Sequence, residues 1–254
     1  MLQQTQAARV VPFYVRFLAA FPSAPACAAA GPGDVVRLWS GLGYNRRALN
    51  LHRAATVVAA EHGGRVPRED AALRALPGVG AYTARAVRAF AFGDDVAAVD
   101  TNAARVLARC VAGAPLGVGA ASALGDRLVP PGESWAFNQA MFDLGATVCT
   151  GARPDCARCP LRRQCRWRRA GQAEPDPWRA GPSARPQPAF AGSDRQGRGR
   201  LLEALRRGDV TGEDVATACG WAGDRARAAR VAAALVDEGF AAWSGGADPV
   251  LRLR

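Results

Sequence analysis

Four cysteines fall within 17 residues, CTGARPDCARCPLRRQC, spaced C-x6-C-x2-C-x5-C at Cys149, Cys156, Cys159 and Cys165. No other feature restricts the fold so tightly, because four thiolates this close together can converge on one centre. Zinc sites more often use two separated C-x2-C knuckles. Here there is one such pair, with longer loops on either side and Pro160 directly behind the third cysteine. A compact run of this kind suits a [4Fe–4S] cube, whose corners need ligands several ångström apart. Zinc is the alternative. The start of the chain has no basic region followed by an apolar core, so nothing marks it for secretion, and a disulfide framework is not expected. The remaining cysteines, Cys27, Cys110 and Cys219, read as small buried apolar residues.

The rest of the first 170 residues reads as helices separated by Gly/Pro turns. Amphipathic runs cover roughly 4–20, 33–41, 45–62, 69–76, 81–92, 101–112, 118–128 and 134–147, with no period-two strand pattern among them. No apolar stretch is long enough to span a bilayer. The expectation is a cytoplasmic, mostly α protein. Residues 170–193 form a Pro/Gly/Ala/Arg linker. Beyond it, three helical runs and two short apolar runs separated by GGAD give the outline of a winged helix, with a generic helical appendix as the alternative. The expected domains are 1–94 (a helical barrel), 95–169 (a cluster domain), the linker 170–193, and a winged-helix-like unit at 194–254.

The net charge is +11, and all 33 cations are arginine, since the chain contains no lysine. A basic surplus of planar guanidinium groups favours nucleic acid as partner. It also excludes a lysine Schiff base. In LPGVGAYTARAVRAF a helix ends at Leu76, the chain turns through Gly78-Val79-Gly80, and a new helix starts at once. Such a helix–hairpin–helix offers unpaired N–H groups to a DNA phosphate. In AAVDTNAARVLARC, Asp100 stands directly before an amphipathic run. It is either a helix N-cap or a carboxylate placed where positive charge develops on a sugar.

These motifs, together with LWSGLGYNRRALNLHRAA and FNQAMFDLGATVC, occur in the order and spacing of the helix–hairpin–helix DNA glycosylases. Over residues 1–168 the chain closely resembles the endonuclease III superfamily, and within it the adenine DNA glycosylases. The resemblance implies a six-helix barrel plus an iron–sulfur cluster domain, and a base-excision-repair hydrolase. Such an enzyme flips adenine, mispaired with 8-oxoguanine or guanine, out of double-stranded DNA and cuts its N-glycosidic bond. It further implies that Asp100 stabilises an oxocarbenium-like sugar and that Asn102 organises that site. Cys149, Cys156, Cys159 and Cys165 would hold the cluster, and the enzyme is expected to act as a monomer. Gln4 and Thr5 match residues that enter the duplex near the mispair, and Tyr44 matches an aromatic wedge beside 8-oxoguanine. Tyr82 stands where lyase members carry their lysine, which implies a monofunctional enzyme with water as the nucleophile.

Three departures qualify the match. The family's general-acid glutamate belongs two residues ahead of Met1, in a segment reading Glu-Val-Met-Leu-Gln-Gln-Thr. The expectation is therefore an N-terminally truncated sequence, impaired in catalysis as written. Asn45 replaces the second Tyr of the usual GLGYY, and residues 194–254 are too few for the nucleotide-hydrolase-like domain of well-studied bacterial members. Two alternatives stand beside the adenine reading. One is a thymine or uracil mismatch glycosylase; the other is a non-catalytic mismatch-binding protein.

Overall fold

The computed structural model describes residues 1–172, 176–178, 189–246 and 248–254. Most of the expected linker and Ala247 of the GGAD turn lie outside the described residues. The chain is mostly helical. Ten helices come first: α1 (Ala7–Ala20), α2 (Ala24–Ala29), α3 (Pro32–Leu38), α4 (Arg46–Glu61), α5 (Asp70–Ala75), α6 (Ala81–Ala91), α7 (Thr101–Val106), α8 (Val118–Asp126), α9 (Ser134–Asp143) and α10 (Arg166–Arg169). α7 and α9 run on without a break into wider π-helical turns, at Leu107–Ala112 and Leu144–Val148. α11 (Asp194–Arg207), β1 (Val210–Thr211), α12 (Val215–Cys219), α13 (Arg225–Asp237), β2 (Ala241–Trp243) and β3 (Val250–Leu253) complete the chain.

The helices lie where the apolar periodicity places them, except α2 and the single-turn α10, neither of which falls in an expected run. The residues of α2, APACAA, carry no alternation of apolar and polar faces. It forms because the Ser23 hydroxyl accepts from the Ala26 N–H and Pro25 sits in the first turn.

Two compact units divide the chain. One comprises Met1–Pro67, Leu76–Gly78 and Pro186–Arg254; the other comprises Arg68–Ala75 and Val79–Arg185. In the first unit, α1 to α4 and the C-terminal segment share one apolar core. Phe17, Val35, Val36, Trp39 and Leu49 pack in the same cluster as Leu201, Leu205, Leu235, Phe240 and Leu251. Each such side chain removed from water contributes about 1.5–3 kcal/mol. The C-terminal segment has winged-helix order, with β3 pairing antiparallel between β1 and β2. Its last residue reaches α3, where the Gly33 N–H donates to the Arg254 carbonyl at 2.5 Å.

This arrangement accounts for Asn45, the departure from the family's usual tyrosine. Arg206 of α11 donates to Asn45 Oδ1 at 2.7 Å and to the Val36 carbonyl at 3.1 Å. A second tyrosine there would offer that guanidinium no amide oxygen. Within the C-terminal segment Arg227 is committed locally, stacked on Trp221 at 4.0 Å and donating to Asp194 at 2.6 Å.

In the second unit, α7 crosses the end of α9 at Gly145. A Cβ there would lie 2.7 Å from both the carbonyl oxygen and the Cβ of Asn102. Asn138, 1% exposed, holds the extended segment ahead of α7. Its Oδ1 accepts from the Ala98 N–H at 2.7 Å, and its Nδ2 donates to the Val96 carbonyl at 2.9 Å. A Gly145→Ala variant is expected to lose about 1–3 kcal/mol, because backbone cannot move aside as a flexible side chain would. Gly119→Ala, in α8 with nothing within 4 Å of its Cβ position, should instead gain about 0.4–1 kcal/mol. Urea unfolding midpoints shifting in opposite directions would bear this out.

Candidate active site and cysteine cavity

The second unit gathers Tyr82, Asp100, Asn102 and the cysteines. Asp100 is the N-cap of α7. Its Oδ1 accepts from the backbone N–H groups of Asn102 and Ala103 at 2.8 and 2.7 Å. Its Oδ2 accepts from Asn102 Nδ2 at 3.2 Å. The capping role and a catalytic role are therefore compatible: the cap fixes the carboxylate's orientation, and the group remains half-buried rather than sealed. Tyr82, in the first turn of α6, packs its ring near Phe142, with centroids 6.4 Å apart. Burial, and after it the negative charge of Asp100, hold its phenol above the ordinary tyrosine value.

Asn102 faces two ways. Its Oδ1 accepts from Arg105 Nη2 at 2.8 Å, and Arg105 in turn donates to the carbonyls of Gly145 and Cys149, both at 2.6 Å. A continuous set of polar contacts thus runs from the Asp100 carboxylate to the backbone of the first cysteine of the run. One turn on, Arg109 donates to Cys149 Sγ at 3.6 Å and to the Thr150 carbonyl at 2.7 Å. The sequence reading singles out neither arginine. The only available signal is their i, i+4 spacing directly behind Asp100 and Asn102.

Cys149, Cys156, Cys159 and Cys165 line one cavity with the apolar side chains of Val106, Leu144, Val148, Leu161 and Trp167. Among the described residues, no three His, Cys, Asp or Glu side chains are placed to hold a single metal ion. Cys110 lines the same cavity, half-buried, as a fifth thiol. Burial, with the nearby Cys165 and Cys159, pushes its pKa up to about 12, so it stays protonated at neutral pH. Cys27 and Cys219 are buried, as their composition suggests.

The first unit holds Gln4, Thr5 and Tyr44. Arg47 organises them: it donates to the Met1 carbonyl at 2.7 Å, to Thr5 Oγ1 at 3.0 Å, to the Gly43 carbonyl at 3.1 Å and to the Gln3 carbonyl. Its guanidinium also lies over the Trp39 and Tyr44 rings at 5.3 and 5.6 Å. Arg47 is a residue that motif reading passes over as part of a basic pair. Gln4 and Tyr44 both have left-handed backbones, with φ of 59° and 47°. Non-glycine residues held this way cost free energy, and such strain clusters at functional sites. The Tyr44 ring is 64% exposed.

In the hairpin, Leu76 is buried, and Gly78 adopts φ +79°, where a Cβ would meet the Asn50 side chain at 2.7 Å. Gly80 differs. Its φ is −91°, it caps α6, and its Cβ position is open. There the absence of a side chain leaves the helix N-terminus accessible. Val79 between them is half-buried.

Residues 1–115 match the family described as HhH-GPD superfamily base excision DNA repair protein. The chain is 46% identical over 209 residues to an adenine DNA glycosylase of Mycolicibacterium smegmatis, covering 81% of this chain and 69% of that protein. It is 42% identical over 183 residues to the Homo sapiens adenine DNA glycosylase, covering 68% of this chain and 33% of that protein. Among solved structures, a thermostable thymine-DNA glycosylase superposes with a TM-score of 0.62 at 32% identity, covering 66% of this chain and 80% of that one. A trapped endonuclease III–DNA covalent intermediate gives 0.59 at 26% identity, covering 67% and 81%. The chain belongs to the HhH-GPD superfamily of base excision DNA repair proteins, and within it to the adenine DNA glycosylases.

Proposed function

We propose that this glycosylase removes adenine mispaired with 8-oxoguanine or guanine in double-stranded DNA, by a monofunctional route in which water is the nucleophile. The observation that carries the reading is the Asp100 carboxylate fixed at the head of α7 in a chain that contains no lysine. As the glycosidic bond breaks, positive charge builds on the sugar. The Asp100 carboxylate, held by its three N–H contacts, is preorganised to stabilise that charge without reorienting. The phenol of Tyr82 beside it cannot supply an amine. Gln4, Thr5 and Tyr44 serve the mispair side, and Gly78, Val79 and Gly80 present the N-terminus of α6 to a phosphate.

The four cysteines fit a [4Fe–4S] cluster. They provide an all-thiol donor set lining one cavity. A cluster held by these cysteines would shape and stiffen the basic loop that carries Arg153, Arg158, Arg162 and Arg163.

A second reading, release of thymine or uracil opposite guanine, is favoured by the likeness to the thymine-DNA glycosylase. Single-turnover base release on a panel of A:8-oxoguanine, A:G, T:G and U:G duplexes separates the two. The assay is run on the chain as given and on one carrying Glu-Val ahead of Met1, the residues the family resemblance implies there. Adenine release is expected, faster with the extension; pyrimidine release without adenine release would overturn the proposal.

Asp100→Asn keeps an N-cap residue, so folding should persist. Adenine release is expected to fall by roughly 10²–10³-fold with duplex binding retained, the loss typical of a removed electrostatic stabiliser. Tyr44→Gly relieves the left-handed backbone while deleting the ring. The unfolding midpoint should not fall, whereas preference for A:8-oxoguanine over A:T should drop about tenfold or more, the scale of a lost stacking contact. An equal loss on both duplexes would mark the ring as structural.

A further inference from the structure

Asp176 lies beyond the last cysteine and is the one carboxylate in the buried class among the described residues, at 3% exposed. A buried carboxylate is costly to keep unless it is paired. Its partner is Arg109, itself 1% exposed, with Nε donating to Oδ1 at 2.9 Å and Nη2 to Oδ2. The same guanidinium donates to the carbonyls of Thr150 and Gly151 at 2.7 and 3.0 Å and to Cys149 Sγ at 3.6 Å. All five N–H bonds of Arg109 are thereby engaged, and its face lies over Trp167, 4.8 Å from the ring centroid. Trp167 and Arg109 both line the cysteine cavity.

Two residues on, the Trp178 N–H donates to Asp176 Oδ1 at 3.0 Å, and the Trp178 ring lies under Arg105 at 5.4 Å. The short segment Asp176-Pro177-Trp178 is therefore clipped onto two arginines one helical turn apart. Each of those arginines touches Cys149, Arg105 at the carbonyl and Arg109 at the sulfur. A segment with no motif of its own is held to Arg109 by a charge pair and to Arg105 by a cation–π contact, and its own Trp178 N–H fixes the Asp176 carboxylate.

We propose that Asp176-Pro177-Trp178 is a strap that retains the iron–sulfur cluster, with Asp176 as a positioning residue that holds Arg109 against Cys149 Sγ and offsets its charge. The proposal rests on the reading that the four cysteines hold a cluster. The physical reason is twofold. A cationic N–H donor to a ligand sulfur favours the reduced, more negative cluster, and a carboxylate paired with that cation opposes the effect. The fork also fixes the 149–151 segment, so that breaking it loosens the first ligand.

The test uses holoprotein of the full chain. Iron and sulfide per chain, the rate of cluster bleaching in air, and the midpoint potential of the DNA-bound protein by voltammetry are compared for the wild type and three variants. Asp176→Asn should bleach at least tenfold faster than wild type and shift to a more positive potential. Asp176→Glu, which keeps the charge, should restore the potential towards wild type. Trp178→Ala, at a half-exposed position that folding should tolerate, should bleach faster with little change in potential.

Four irons per wild-type chain with Asp176→Asn matching wild type in both bleaching and potential would overturn the strap alone. If Asp176→Asn does not fold, Trp178→Ala bleaching at the wild-type rate overturns it equally. A wild type purified under reducing, iron-replete conditions without iron and sulfide would overturn the cofactor reading, and the strap with it.

Discussion

Two guanidinium groups buried four residues apart on one helix impose the main constraint on the second unit. Arg105 and Arg109 are 7% and 1% exposed, and each N–H taken from water must find an acceptor. The carbonyls of Gly145, Cys149, Thr150 and Gly151 provide four of them, and Asn102, Asp176 and Cys149 Sγ accept others. The chain leaving α9 is consequently drawn against α7, and Gly145 permits the approach because any side chain would strike the backbone of Asn102. From this single requirement follow the placement of Cys149, the orientation of Asn102, and the fixed geometry of the Asp100 carboxylate.

The first unit solves a similar problem with one arginine. Arg47 binds carbonyls of both the N-terminal residues and the turn before α4, and it lies over two aromatic rings. That grip stabilises the left-handed backbones of Gln4 and Tyr44, which would otherwise relax. An exposed tyrosine on a strained turn is poorly placed for packing and well placed for contact with a partner. Arginine serves as scaffold in both units, so the cationic surplus of the composition is not all surface available to DNA.

Much of the architecture is legible in the sequence, for identifiable reasons. Helices such as α4 and α6 are long enough for apolar periodicity to declare them, and the Gly/Pro turns delimit them. The cap at Asp100 is readable because a short polar residue stands directly before an amphipathic run. The cysteine run is readable from spacing alone. What escapes is whatever depends on contacts distant in sequence. Cys110 reads as a small apolar residue, yet it lies in the cavity of cysteines more than thirty residues away. Arg47, Arg105 and Arg109 look like ordinary members of an arginine-rich chain until their acceptors are known. α2 escapes for a local reason, since its alanines carry no pattern.

The sequence by itself determined a mostly helical DNA glycosylase of the HhH-GPD superfamily, the hairpin, the cysteine spacing and the absence of lysine, because each of these is set by local chemistry or by residue inventory. Only the tertiary structure decided that residues 194–254 share a core with α1 to α4, that Asn45 serves Arg206, and that Asp176 closes on Arg109. The pairing of Asn45 with Arg206 alone joins groups 161 residues apart. Burial and hydrogen-bond satisfaction select them in three dimensions, and no periodicity along the chain records them.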